Sequence, residues 1–144
     1  MKKILSFVLA AVMLCSLCAC RDKSSAPVGE DGIDVDLSVL SSTMVYSQLV
    51  EMFSNPEPYL GKSVKMTGSF QVINDVTTGN IYFLCLVNDA TACCQQWLEF
   101  RLADGGSYPD DYPELDSTIT VSGIFNTYME GEYVYFELRD AVLC

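Results

Sequence analysis

The chain contains no histidine among its 144 residues. The usual general base at neutral pH and the commonest metal ligand are both missing, which excludes Ser-His and Cys-His nucleophile pairs and His-based zinc centres. Other signatures fail on spacing. Gly61-Lys62-Ser63 ends like a phosphate-binding P-loop, but the glycine needed at position 56 is Pro56. There is no G-x-S-x-G nucleophile elbow. Asp104, Asp110, Asp111, Glu114 and Asp116 cluster without the EF-hand pattern, as in a solvated acidic loop. No pair of carboxylates is nominated for catalysis, and the reading leans away from an enzyme. Basic residues are also scarce, 8 against 19 acids.

What is present begins with MKKILSFVLAAVMLCSLCAC. Lys2 and Lys3 form a charged start, and residues 4–19 are apolar or small. That is the layout of a secretory signal peptide, shorter than the roughly 20 apolar residues of a bilayer-spanning helix. Leu17-Cys18-Ala19-Cys20 resembles the lipobox of bacterial lipoproteins, in which a cysteine after a small residue is acylated. Only Cys20 fits, because Cys15 and Cys18 each follow a leucine. The expectation is a signal peptide over 1–19, a lipidated Cys20 and an extracytoplasmic protein held on the cell membrane by its lipid anchor.

From Cys20 onward six bases remain against 19 acids, a net charge of −13. Nucleic acid, whose affinity comes mostly from Lys and Arg neutralising phosphates, is excluded as a partner on this ground. A small molecule, an envelope glycan or an envelope protein remains open. The stretch RDKSSAPVGEDGIDVD is rich in Ser, Pro, Gly and acid, so residues 20–37 read as a flexible tether. Residues 38–144 have the size of one domain.

Within that domain Val45, Leu49, Met52 and Phe53 recur at helical spacing, and Asn55-Pro56 ends the run, predicting a helix over 43–54. The period then changes to two. SVKMTGSFQV, IYFLCLV, QWLEFRL, TITVSGIFNTY and YVYFELRDAVL read as five strands, with Gly68 at a bend or bulge of the first. A long strand, a hairpin, a longer connection and a second hairpin give the order of the OB-fold. The fold class is mainly β, a five-stranded OB-fold-like barrel with one N-terminal amphipathic helix. Its core is expected to contain Val64, Met66, Phe70, Phe100, Leu102, Ile119, Val121, Phe125, Phe136 and Leu138. The helix precedes the first strand, whereas the OB-fold usually carries it between the third and fourth.

GKSVKMTGSF, DATACCQQWLEF and SYPDDYPELDSTITVSGIF, with SSTMVYSQLVEMF before them, resemble a group of small, largely uncharacterised bacterial lipoproteins with an OB-fold (tRNA-anti-like) domain, found mainly in Gram-positive anaerobes. The likeness covers roughly residues 40–144 and implies the fold and the location. It supplies no activity, ligand or catalytic residue.

Two sets of residues are candidates for function. OB barrels commonly bind on the face of their second and third strands, where Tyr82, Trp97, Glu99 and Arg101 form a candidate ligand face for a sugar or planar molecule. Cys85, Cys93 and Cys94 form a candidate disulfide or thiol site. Adjacent Cα atoms lie about 3.8 Å apart, too close for an ordinary disulfide between neighbours, so a bridge from Cys85 to Cys93 or Cys94 is favoured. A soft metal such as zinc or copper on Cys85, Cys93 and Cys94, or thiol redox chemistry, is the alternative. Otherwise no cofactor is implied. The function read here is a non-catalytic ligand- or partner-binding module.

Overall fold

The computed structural model of the chain describes residues 32–144. The expected signal peptide, the lipidated Cys20 and most of the tether lie outside the described residues. Strand β1 (Val35–Asp36) comes first, then helix α1 (Ser42–Ser54) and strands β2 (Ser63–Asn74), β3 (Ile81–Asn88), β4 (Gln95–Leu102), β5 (Thr118–Glu130) and β6 (Tyr133–Leu143). The sheet order is β1-β2-β3-β4-β6-β5, and β2 also pairs with β5. Five strands therefore close into a ring, antiparallel except for the parallel β4–β6 pair. That connectivity is the OB-fold-like barrel expected from the strand order.

Alternation builds the core. Val64, Met66 and Phe70 of β2, Leu98 and Phe100 of β4, Ile119, Val121 and Phe125 of β5, and Leu138 of β6 are all buried. Leu102 and Phe136 are partly buried against them. Helix α1 adds Val45, Leu49 and Met52, and its Phe53 stacks on Phe136 at 4.6 Å. The connection from β4 to β5 holds no helix, as its prolines imply. Instead it inserts Tyr112, whose ring stacks 3.9 Å from Phe83 and 6.0 Å from Phe70.

The tether boundary moves. Val35 and Leu37 are buried, and β1 pairs parallel with Val64 and Lys65 of β2. Asp34 Oδ2 accepts hydrogen bonds from the Ser63 N–H and Oγ at 2.9 and 2.8 Å. Residues 34–37, assigned to the flexible tether, therefore belong to the domain. They occupy the edge of β2 that β3 leaves open, since β3 pairs only from Ser69 onward.

Gly68 marks the point where β2 passes from β5 to β3. A Cβ there would lie 2.5 Å from the Leu86 carbonyl oxygen and 2.8 Å from Cys85 Sγ. The requirement is close approach of two backbones. Gly68→Ala is expected to cost about 1–3 kcal/mol as overpacking. Urea denaturation reads it as a lowered midpoint at constant slope, and an unchanged midpoint would mean that β3 yields freely.

Candidate functional site

Alternation along β3 and β4 sends Phe83, Cys85, Leu98 and Phe100 inward and Tyr82, Leu84, Trp97, Glu99 and Arg101 outward. The neighbouring strand β6 places Glu137 beside Glu99 in register, and β5 places Asn126 beside Glu137. The outer face of β4–β6–β5 thus carries a polar network laid on the barrel wall.

Arg101 is its centre. Its Nε lies 2.8 Å from Glu137 Oε2 and 3.4 Å from Glu99 Oε1, and its guanidinium sits 4.9 Å from the centroid of the Tyr128 ring. The single Nε–H is directed at Glu99, so the closer contact with Glu137 Oε2 is ionic without a directed hydrogen bond. Tyr128 donates its hydroxyl to Glu99 Oε2 at 2.6 Å, and Asn126 Nδ2 donates to Glu137 Oε1 at 3.2 Å. Glu99 and Glu137 are only 7 % and 4 % exposed, so two adjacent carboxylates depend on one guanidinium. Burial raises the Glu99 pKa above its ordinary value, with the Tyr128 hydrogen bond and Arg101 opposing. Burial and the bond to Glu99 raise that of Tyr128, which stays protonated as a donor. Among the described residues, no hydrogen bond engages the terminal Nη groups of Arg101.

The end of β5 reaches the start of β3. Tyr82 donates its hydroxyl to Glu130 Oε1 at 2.6 Å, and Asn80 Nδ2 donates to the same oxygen at 3.2 Å. Two clefts, about 390 and 430 Å³, meet along Tyr82, Glu99, Tyr128 and Glu130. The first holds Arg101 and Tyr112; the second holds Trp97, Tyr135 and Val134 above Leu84. These volumes suit a small ligand or a short segment of a polymer. The four candidate residues Tyr82, Trp97, Glu99 and Arg101 are thus brought to one surface. Tyr128, Glu130 and Glu137 join them without having been singled out, because pairing across β4, β6 and β5 is not visible in any one strand.

The cysteines do not assemble as expected. Cys85 is fully buried in the barrel, opposite Leu98, and burial pushes its thiol pKa up to about 12. Cys93 and Cys94 lie beyond the end of the β3–β4 ladder, both exposed. Four residue steps lead from Cys85 to Asp89, roughly 13 Å of rise. The expected bridge from Cys85 to Cys93 or Cys94, and a metal shared by all three, are therefore corrected: all four cysteines of the described residues are free. Strict strand alternation would place the adjacent Cys93 and Cys94 on opposite faces. The loop breaks it, with Ala92 at φ 56° and the two sulfurs 3.5 Å apart on one side. Cys144 is exposed at the end of β6.

No family model matches the chain, and no curated protein matches it. Among solved structures, a crystal structure of a "putative nucleic acid-binding lipoprotein" from Klebsiella pneumoniae is similar. The two are 20% identical over 82% of this chain and 99% of that one, with a TM-score of 0.49. The exclusion of nucleic acid as a partner does not stand beside this neighbour, whose description names nucleic acid binding. That exclusion rested on net charge, a property of the whole surface, whereas an OB barrel meets its ligand at one local face.

Proposed function

We propose that the chain is a membrane-anchored, extracytoplasmic binding module whose ligand is a neutral or amine-bearing glycan of the cell envelope. The observation that carries this reading is the Arg101 network facing the twin clefts. Arg101 lines the first cleft with its Nη groups free of hydrogen bonds among the described residues, and aromatic surface comes from Tyr82 in both clefts, Tyr112 in the first and Trp97 and Tyr135 in the second. Sugars fit that combination, offering apolar ring faces to aromatic side chains and hydroxyls to charged donors and acceptors. OB barrels bind oligosaccharides on this face. Charge favours a neutral or cationic ligand: Asp75, Glu99 and Glu130 line the two clefts, and Arg101, the one cation among their lining residues, is already paired with Glu99 and Glu137.

Trp97 is half exposed on the cleft wall and is the only tryptophan of the chain. A stacking residue at the centre of a small contact typically carries about 2 kcal/mol or more, roughly 30-fold in affinity. Wild-type protein is expected to co-sediment with insoluble envelope glycan, and Trp97→Ala to remain in the supernatant. Equal sedimentation of both would remove the cleft from the interaction.

The lipid anchor supports the envelope location and rests on the Leu17-Cys18-Ala19-Cys20 pattern. Cys20→Ala is expected to abolish acylation and release the protein from the membrane fraction. Normal acylation in that variant, read by mass spectrometry, would place the modification elsewhere.

A further inference from the structure

The β3–β4 loop, at the far end of the hairpin from Tyr82 and Arg101, gathers three groups that the binding cleft does not use. Asp89, Cys93 and Cys94 each present one ligand atom, and these atoms lie within 4.8 Å of one another. Cys93 Sγ is 3.5 Å from Cys94 Sγ and 3.4 Å from Asp89 Oδ2.

The two oxygens of Asp89 have separate work. Oδ1 accepts the backbone N–H groups of Thr91, Cys93 and Cys94 at 3.2, 3.0 and 3.4 Å, which curls the loop and brings both sulfurs to one side. Oδ2 accepts only from the Thr91 hydroxyl and the Cys93 thiol. It points at the sulfurs rather than into the backbone.

The spacings match a tetrahedral ion. With zinc–sulfur bonds of about 2.3 Å, sulfurs 3.5 Å apart subtend about 100° at the metal. With a zinc–oxygen bond of about 2.1 Å, the 3.4 Å from sulfur to oxygen also subtends about 100°. Both lie near the tetrahedral value, and the third edge, from Cys94 Sγ to the Asp89 carboxylate, is within 4.8 Å, so closing it takes at most a small side-chain rotation. We propose that Cys93, Cys94 and Asp89 form a capture site for a thiophilic divalent ion, with zinc as the fitting case and the fourth position open to solvent. Each thiol releases its proton to solvent as the ion binds, so the divalent ion with two thiolates and one carboxylate forms an S₂O site of net charge about −1. Cys85 takes no part, being sealed in the barrel, which separates this site from a three-cysteine centre.

The test uses the full chain, fully reduced and without oxygen, titrated with Co²⁺ and then Zn²⁺. One cobalt per chain is expected, with a thiolate-to-cobalt charge-transfer band that zinc bleaches. Bound zinc should protect Cys93 and Cys94, and not Cys144, from alkylation. Asp89→Asn keeps the Oδ1 acceptor for the loop and is expected to bind at least ~10-fold more weakly. The double variant Cys93→Ser, Cys94→Ser should lose the band while unfolding at the wild-type temperature, because both side chains are exposed. Absence of a saturable band in wild type, its survival in the double variant, or its loss in Cys144→Ser would each overturn the site.

Discussion

Phe70→Ala is expected to lower the free energy of unfolding by about 3–5 kcal/mol, a large share of the stability of a domain this size. Phe70 has no exposed surface, and its ring faces Phe83, Phe100 and Tyr112 at 6.3, 6.1 and 6.0 Å. Its neighbours come from β3, β4 and the β4–β5 connection, so no single segment can collapse to fill the space. Its backbone N–H also donates to Ser117 O, and its carbonyl accepts from Asp116 N, tying β2 to the start of β5. Those bonds survive the truncation, which confines the loss to packing. Equilibrium urea denaturation measures it directly. A loss under about 1 kcal/mol would mean that Tyr112 refills the site and that the connection is a loose cover rather than part of the core.

Arg101→Met should be the most damaging change on the outer face, by about 3 kcal/mol at neutral pH. That is the low end for breaking a buried charge pair, because the arginine side chain is itself 56% exposed. Methionine keeps apolar contact with Tyr128 but leaves Glu99 and Glu137 side by side without a cation. The pH dependence identifies the cause. The folded-state pKa of Glu99 is raised above the ordinary 4.5, chiefly by burial, so the fold binds this proton more tightly than the unfolded chain does. Stability from that proton is fully present below the ordinary value and is lost as pH rises through the raised one. Losing Arg101 raises the Glu99 pKa further, so the variant should regain stability on acidification more steeply than wild type. Adding Glu99→Gln, which keeps an acceptor for Tyr128, should recover part of the loss at neutral pH. A deficit independent of pH, and untouched by Glu99→Gln, would assign the effect to packing alone.

The barrel was legible because most of its strands alternate, and the one that is apolar on both faces, Ile81–Val87, is short and bounded by turn residues. Val64, Met66 and Phe70 against Lys65, Thr67 and Ser69 give β2 its faces without reference to any partner. The helix was legible for the same reason at its own period. Position 68 could be read as special because glycine interrupts the apolar face. What escaped depends on partners distant in sequence. Val35-Asp36-Leu37 sits in an acidic, glycine-containing stretch, and its two-residue parallel pairing with β2 leaves no periodic trace. Glu99 and Glu137 each look like ordinary outward charges, and become a buried pair only when β6 closes beside β4. The grouping of Cys85 with Cys93 and Cys94 failed for a local reason. Only a strand regular back to Cys93 would lay the pair alongside β3, whereas the Asp89 carboxylate folds the loop on itself before β4 begins. Tyr82, Trp97, Glu99 and Arg101 did share a face, because alternation places them there whatever the loops do.

The most direct measurement is the fluorescence of Trp97 during titration with a soluble oligosaccharide fragment of envelope glycan. The expected result is a saturable change in emission, with reduced quenching by iodide as the sugar covers the indole, and weaker binding in Tyr135→Ala and Glu130→Gln. A flat response to the sugar would contradict a glycan site in the cleft, and saturation by a single-stranded oligonucleotide in its place would assign the cleft to nucleic acid.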